Sequence, residues 1–333
     1  RMKRLLLLTA IITAISTFTF ADDFEDIKFK SEYGKGNMKD SKLEYTHLVN
    51  DLSGTLSLDD EMKGLKFNFN VIRHDFLNPS DDFGGAIWDT DFNFMKQYKL
   101  GSKDLEFMLG FKYGNADEIG IGYLDGLIPV KLRDGQGYEG YFGTVISFKI
   151  FGQHGEITPR VVYYNDKDHY TRDYKDQGTA GWGGDFDIEM GGPIVSGKFG
   201  GVSYGISLNN HWRKATDTKD TSSEGDNSVY LNYIAFLTYK SPRYYGFGLD
   251  LNIYNQWEKF TGDNQRNNGF YVAPKVLYTH TFDTSIGKLI VNPYISYNVI
   301  DDQTRHLNYL NRKYDYSGNN ELAGGIEFSL DRR

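Results

Sequence analysis

Several groups of side chains in the sequence have the chemistry of hydrolytic sites. Asp81-Asp82 and Asp168-His169 lie in polar segments, where a carboxylate or an imidazole could activate water as a general base. With 45 acidic residues in the chain, such pairs arise easily from composition alone. A lipid-cleaving His-x-Ser pair is absent, because no histidine is followed two positions later by serine. We therefore expect that the protein is not an enzyme.

Metal and cofactor sites are also poorly supported by the residue types. The chain has no cysteine, which excludes disulfide scaffolds, thiolate metal sites and cysteine nucleophiles. Segment 213–227 carries carboxylates and hydroxyls but lacks the spaced glycine and final glutamate of a calcium loop. Gly181, Gly183 and Gly184 precede no helix and predict tight packing rather than nucleotide binding. We expect no cofactor and no metal.

The dominant pattern along the chain is the two-residue period of β-strands. Leu65, Phe67 and Phe69, for example, alternate with polar residues, and many such runs reach about ten residues, the length that crosses a bilayer at a tilt. Fourteen strands are predicted, over 26–33, 46–58, 64–74, 86–98, 105–113, 138–150, 156–164, 182–190, 199–212, 228–240, 244–257, 269–281, 288–299 and 320–330.

The connections between these strands alternate strictly between long polar segments and short turns. This asymmetry is typical of outer-membrane barrels, with long external loops and short periplasmic turns. The fold class is therefore all-β, a closed antiparallel transmembrane β-barrel of about 14 strands. Twelve or sixteen strands remain open, because 42–58 could split at Asn50-Asp51 and 303–316 could add a hairpin.

Residues 1–21 have the features of an export signal, which leaves 22–333 as the barrel domain. Lys3 and Arg4 precede an uncharged, mostly apolar run, and Thr19 and Ala21 are small enough to flank a cleavage site. The whole chain has a mean hydropathy of −0.52, which excludes a helical membrane protein. Its net charge of −8 disfavours nucleic acid as a partner, because phosphate binding needs a basic surface.

Two segments carry a resemblance to known channels. The early "KLEYTHLVNDLSGTLSL" and the closing "NELAGGIEFSL" are similar to monomeric outer-membrane porins of the OmpG and oligogalacturonate-channel kind. The high content of Tyr, Lys and Glu also resembles that of FomA-like porins. The resemblance covers the mature chain as a pattern, without a specific motif. It implies an outer-membrane location and a channel function, with outer-membrane lipid and small hydrophilic solutes or ions as partners. Monomer and oligomer both stay open.

Alternate residues of the strands are expected to line the pore. This set contains Lys28, Lys66, Asp89, Asp91, Glu106, Lys112, Lys149, Arg160, Asp185, Asp187, Glu189, Asp250 and Lys275, with Lys30, Glu32, Glu156, Glu321 and Glu327 in the same phase. Acids outnumber bases, which predicts a porin for passive diffusion with a weak preference for cations. The charges either set a transverse field or pair across strands. The alternatives are a channel specific for acidic oligosaccharides, and a non-channel barrel acting as an adhesin or structural surface protein.

The loop parity predicts which segments face outward from the cell. An impermeant maleimide should label Asp217→Cys on intact cells but not Lys103→Cys, because the first lies in a long connection and the second in a short one. The absence of native cysteine makes these variants clean probes. The opposite labelling pattern would reverse the topology.

Overall fold

The computed structural model describes residues 24–38, 43–57, 64–77, 84–100, 103–117, 120–124, 128–170, 177–219, 227–260, 265–307, 312–315 and 320–332. The strands are β1 (Phe24–Met38), β2 (Leu43–Ser57), β3 (Leu65–Leu77), β4 (Gly84–Leu100), β5 (Lys103–Asp117), β6 (Gly120–Leu124), β7 (Ile128–Ile150), β8 (Gln153–Tyr170), β9 (Gln177–Gly197), β10 (Gly200–Lys219), β11 (Asn227–Lys240), β12 (Phe247–Phe260), β13 (Gln265–Tyr278), β14 (His280–Asp283), β15 (Gly287–Tyr297), β16 (Ile300–Leu307), β17 (Arg312–Asp315) and β18 (Asn320–Arg332). Within these residues, no helix has the length and apolar character needed to cross a membrane.

These strands form one antiparallel wall that closes on itself. Neighbours along the chain pair with each other, and β18 pairs with β1 from Asp26↔Asp331 to Asn37↔Asn320. β13 and β14 together make one strand of the wall, and so do β15 and β16. The short strands β6 and β17 pair with β7 and β16 at the rim of the barrel and are not counted as wall strands. The wall therefore has fourteen strands, which confirms the predicted fold class. Residues 1–21, the predicted export signal, lie outside the described residues.

Most wall strands extend well beyond their predicted ends. β7 has 23 residues and β9 has 21, because segments expected to be loops continue the hydrogen-bonded pairing. Segment 42–58 is not split, since β2 pairs continuously through Asn50 and Asp51. The hairpin suspected in 303–316 exists, but β16 and β17 pair above the wall and add no fifteenth strand.

Two of the short turns share an uncommon backbone geometry. Phe151 and Gly152 have φ angles of 50° and 79°, and Tyr245 and Gly246 have 52° and 88°. Positive φ at both central residues is the signature of the type I′ turn, whose twist matches that of the flanking strands. These turns, with the connection 198–199, mark what we call the turn end of the barrel; the opposite end is the loop end.

The two faces of the wall differ sharply in chemistry. Large apolar side chains stand exposed on one face, including Leu109 at 61%, Val276 at 57% and Ile295 at 62% of full exposure. On the other face, Arg213 of β10 lies 2.9 Å from Glu139 of β7, across two intervening strands. Side chains from non-adjacent strands converge only on a concave surface, so the charged face is the inner one.

The outward phase can be tested by placing arginine on each face. Leu249→Arg and Val276→Arg should each lower the free energy of unfolding in lipid vesicles by about 2–4 kcal/mol, since both side chains are exposed on the apolar face. Asn252→Arg, in the inward phase of β12, should be mild and serves as the control. Equal costs in urea titrations would show that the strand phase is wrong, because one residue of register exchanges the faces.

Candidate functional site

All thirteen predicted pore residues fall in the inward phase of their strands. The register fixes this, because each pairs across the wall with another residue of the inner face. Examples are Asp91↔Lys112, Arg160↔Asp185 and Asp250↔Lys275. The structure brings only some of them together, in two clusters on opposite parts of the inner wall.

The first cluster is organised around Asp185 of β9. Its side chain has no exposed surface and lies 3.1 Å from Arg160 Nη2 and 2.5 Å from Arg213 Nη1. Arg160 also pairs with Asp187, whose Oδ1 lies 3.1 Å from His211 Nε2. Two guanidinium groups therefore share one buried carboxylate: Arg213 donates a charge-assisted hydrogen bond to it, while Arg160 forms an ion pair with it and donates its hydrogen bond to Asp187.

The same network continues to β4 along the wall. Arg213 Nη2 donates to Glu139 Oε2 at 2.9 Å, and Lys112 Nζ lies 3.3 Å from the other oxygen of Glu139. Beside it, the Tyr141 hydroxyl donates to Asp91 at 2.6 Å, and the Arg160 guanidinium lies 5.3 Å from the Tyr141 ring centroid. Charges thus alternate in sign across six consecutive wall strands, from β4 to β10.

The side chains of Arg160 and Arg213 each pack against a glycine, where a larger residue would clash with them. A Cβ on Gly143 would lie 2.6 Å from Cγ of Arg160, and one on Gly183 would lie 2.8 Å from Cδ of Arg213. Both distances are shorter than van der Waals contact allows. The tight packing predicted for the Gly181–Gly184 region is therefore packing against Arg213 and the backbone of β10.

The second cluster joins β13, β15, β18 and β1. Lys275 Nζ lies 2.5 Å from Glu327 Oε1 and 4.0 Å from the ring centroid of Tyr294. The Tyr294 hydroxyl donates to Glu32 at 2.5 Å, and Lys30 lies 3.2 Å from the other oxygen of Glu32. Both lysines of this cluster are thus held by a carboxylate.

Some of the remaining predicted residues form ion pairs, and the others do not. Lys28 pairs with Asp26 at 2.8 Å, and Lys66 pairs with Glu25 at 3.0 Å. Asp250 accepts two bonds from Arg243, at 2.9 and 3.2 Å. Within the part of the chain that the structure describes, the predicted residues without an ion pair are four acids and one base: Asp89, Asp91, Glu106, Glu189 and Lys149.

The sequence analysis missed several members of these clusters. Arg213 was assigned to a loop, although it continues the inward phase of Asn209 and His211 in β10. Glu139 and Tyr141 share the phase of Lys149 on a predicted strand, so the alternation alone could have identified them. The two-residue alternation does not predict which inward residues of different strands contact each other.

The candidate residues for hydrolysis and metal binding lie partly outside the residues that the structure describes. Asp81-Asp82 lies outside the described residues, as do residues 220–226 of the segment considered for calcium. Asp168 and His169 belong to β8 rather than to a loop, and they pair with Gly135 and Asp134 of β7. Over the described ranges, no group of three His, Asp or Glu side chains is placed to hold a metal ion.

Comparisons with known proteins give only distant similarities. No protein-family model and no curated protein sequence matches the chain. Among solved structures, it is similar to the deltaS2 mutant of the monoaromatic hydrocarbon channel TodX, with a TM-score of 0.44 and 9% identity over 93% of this chain and 90% of that one.

Two further structures match at lower scores. They are the Vibrio cholerae outer membrane protein OmpT with its loop L8 deleted (TM-score 0.36, 12% identity, covering 92% of this chain and 98% of that one) and Acinetobacter baumannii OccAB3 (TM-score 0.34, 9% identity, 93% and 99%). At these identities and TM-scores, no function passes from these proteins to this chain.

The buried carboxylate should matter for stability far more than a solvent-facing one. Asp185→Asn should lower the free energy of unfolding by about 3 kcal/mol, because it leaves two guanidinium groups without their shared counter-charge. Asp89→Asn, with the same change of charge on the exposed part of the inner wall, should cost less than about 0.5 kcal/mol. Urea unfolding in vesicles compares them, and equal losses would contradict a structural role for Asp185.

Proposed function

We propose that the protein is an outer-membrane channel through which small hydrophilic solutes diffuse passively. One observation carries this proposal: a closed wall exposes large apolar side chains on its outer face and gathers ionised side chains on its inner face. In water this distribution is unfavourable, since exposed apolar surface costs free energy. In a bilayer it is the expected one, and the inner charges then require water in the lumen.

The size of the barrel fits a pore. Eight-stranded barrels fill their interior with side chains, whereas barrels of 16 to 18 strands leave an aqueous channel. A wall of fourteen strands lies nearer the second group. Transport then needs no bond making, and selection comes from the width of the lumen and the charges on its wall.

The charge pattern supports a mild preference for cations. Lys112, Arg160 and Lys275 are each held by carboxylates, so their charges are largely neutralised within the wall. The predicted inner residues without an ion pair, among those described, are mostly acids. A permeating ion therefore meets a net negative lumen, and this bias is strongest in dilute salt, where screening is weak.

The ion pairs also bear on the alternatives. They favour charges that pair across strands and stiffen the wall over a set of free charges that orients solutes. A channel for acidic oligosaccharides would need basic groups available to a solute, yet Arg160 and Arg213 are held by Asp185, Asp187 and Glu139. We therefore rank the acidic-oligosaccharide channel second.

Planar-bilayer recording tests both the channel and its selectivity. The wild-type protein should conduct, and its reversal potential across a potassium chloride gradient should show mild cation preference. Asp185→Asn should shift that potential towards anions by more than Asp89→Asn, because the removed charge neutralises part of two guanidinium groups. Arg213→Gln should shift it the other way, since Glu139 and Asp185 each then lose one cationic partner.

The contrary outcomes are distinct. Anion preference of the wild type, lost in Lys112→Glu, Lys149→Glu or Arg160→Glu, would favour the acidic-oligosaccharide channel. A folded protein without conductance would favour an adhesin or structural surface protein.

A further inference from the structure

The outer face of β12 and β13 changes chemistry in a regular order towards the loop end. Three successive cross-strand pairs are wholly apolar: Leu249↔Val276, Leu251↔Pro274 and Ile253↔Val272. Above them, Asn255 pairs with Phe270 and Trp257 with Asn268. The last outward pair before the strands end at Phe260 and Gln265 consists of two cations, Lys259↔Arg266.

The backbone register continues this cationic pair into the neighbouring strands. Arg266 of β13 pairs with His306 of β16, and His306 pairs with Lys313 of β17. Four adjacent strands therefore each place a basic residue at the same height of the wall. We call Lys259, Arg266, His306 and Lys313 the basic row.

A row of like charges is unfavourable without a counter-charge, because identical charges directly opposite each other in a sheet repel. Lys259 and Arg266 make no ion pair or hydrogen bond with other residues over the described ranges. The acids nearest in the same register lie lower on the wall, Asp315 opposite Thr304 and Asp302 opposite Phe270. Lys259 and Arg266 thus place two positive charges side by side without a paired acid among the described residues.

The arrangement is particular to this side of the barrel. On β10, the outward Lys214 pairs with Trp182 on one side and Asn227 on the other. On β8, Lys167 pairs with Gln136 and Gly178. These lysines are isolated between neutral residues, so a row of adjacent basic positions needs its own explanation.

The depth of the row in a membrane follows from the aromatic residues beneath it. Tyr233 and Trp257 stack with ring centroids 5.1 Å apart, two residues along β12 from Lys259. Paired aromatic side chains of this kind lie at the interface between hydrocarbon and headgroups. The basic row then lies one pair further out, at the level of the lipid headgroups.

From this order we infer that the basic row binds the phosphate groups of an anionic membrane lipid. Lysine supplies a point charge, and arginine supplies a forked pair of donors that fits phosphate oxygens. The bound phosphate would provide the counter-charge that the wall lacks. This inference rests on the proposed membrane setting of the barrel but not on whether its lumen conducts.

Lipid retention tests the assignment. Wild type and the double variant Lys259→Gln/Arg266→Gln are inserted into phosphatidylcholine nanodiscs with a small, equal fraction of lipid A, a diphosphorylated glycolipid. Native mass spectrometry after mild extraction counts the lipid A retained per barrel. Retention should fall about tenfold in the double variant, because two adjacent cations can hold one phosphate group together, which an isolated cation cannot do.

A matched control distinguishes lipid binding by the basic row from attraction of lipid by any outward-facing lysine. Lys214→Gln removes an isolated outward lysine and should change retention less than about twofold. Equal retention in wild type and double variant, or an equal loss in Lys214→Gln, would overturn the proposal. Displacement of lipid A by inorganic phosphate would assign the row to free phosphate and overturn the lipid assignment.

Two further measurements separate a loss of lipid binding from misfolding and from a loss of channel activity. Heat-modified gel migration shows whether each variant is folded, and the single variants Lys259→Gln and Arg266→Gln serve if the double variant is not. Each should lose part of the retention, and no loss in either would overturn the proposal. Conductance of the same preparations is recorded separately, so a barrel that retains lipid A without conducting would contradict only the proposed channel.

Discussion

The structure depends on one constraint, that each backbone N–H and C=O group of the wall needs a hydrogen-bond partner. An open sheet leaves two edges with unpaired donors and acceptors, which is very costly in hydrocarbon. Here the pairing of β1 with β18 removes both edges. Once the wall is closed, alternation sends every second side chain to the inner face and the others to the outer face, so the two faces can differ in chemistry.

The inner wall shows how charged groups are accommodated under that constraint. Arg160 and Arg213 lie over glycines that give them room, and they bond to carboxylates of β9 and β7. Asp185, which has no exposed side-chain surface, ties both of them to β9. Such ties brace the wall laterally, so the same residues line the inner face and hold neighbouring strands together.

The sequence predicted the number of wall strands, because each strand is marked by a local two-residue period. It did not predict the strand ends: the extension of β10 beyond Trp212 is polar and lacks the apolar alternation of the other strand segments. Nor could it predict the partners of Asp185 or the basic row. Those depend on the register between strands, and a single chain pattern does not specify which residues of two strands lie opposite each other.

Closure has a consequence for chain connectivity. β1 and β18 lie side by side along twelve residue pairs, from Asp26↔Asp331 to Asn37↔Asn320, as any two neighbouring strands of the wall do. The wall therefore has no structural beginning. A circular permutant that links β18 to β1 through a short peptide and opens at the turn between Lys198 and Phe199 retains the same neighbours throughout, so the order of strands in the gene is separable from their order in the barrel.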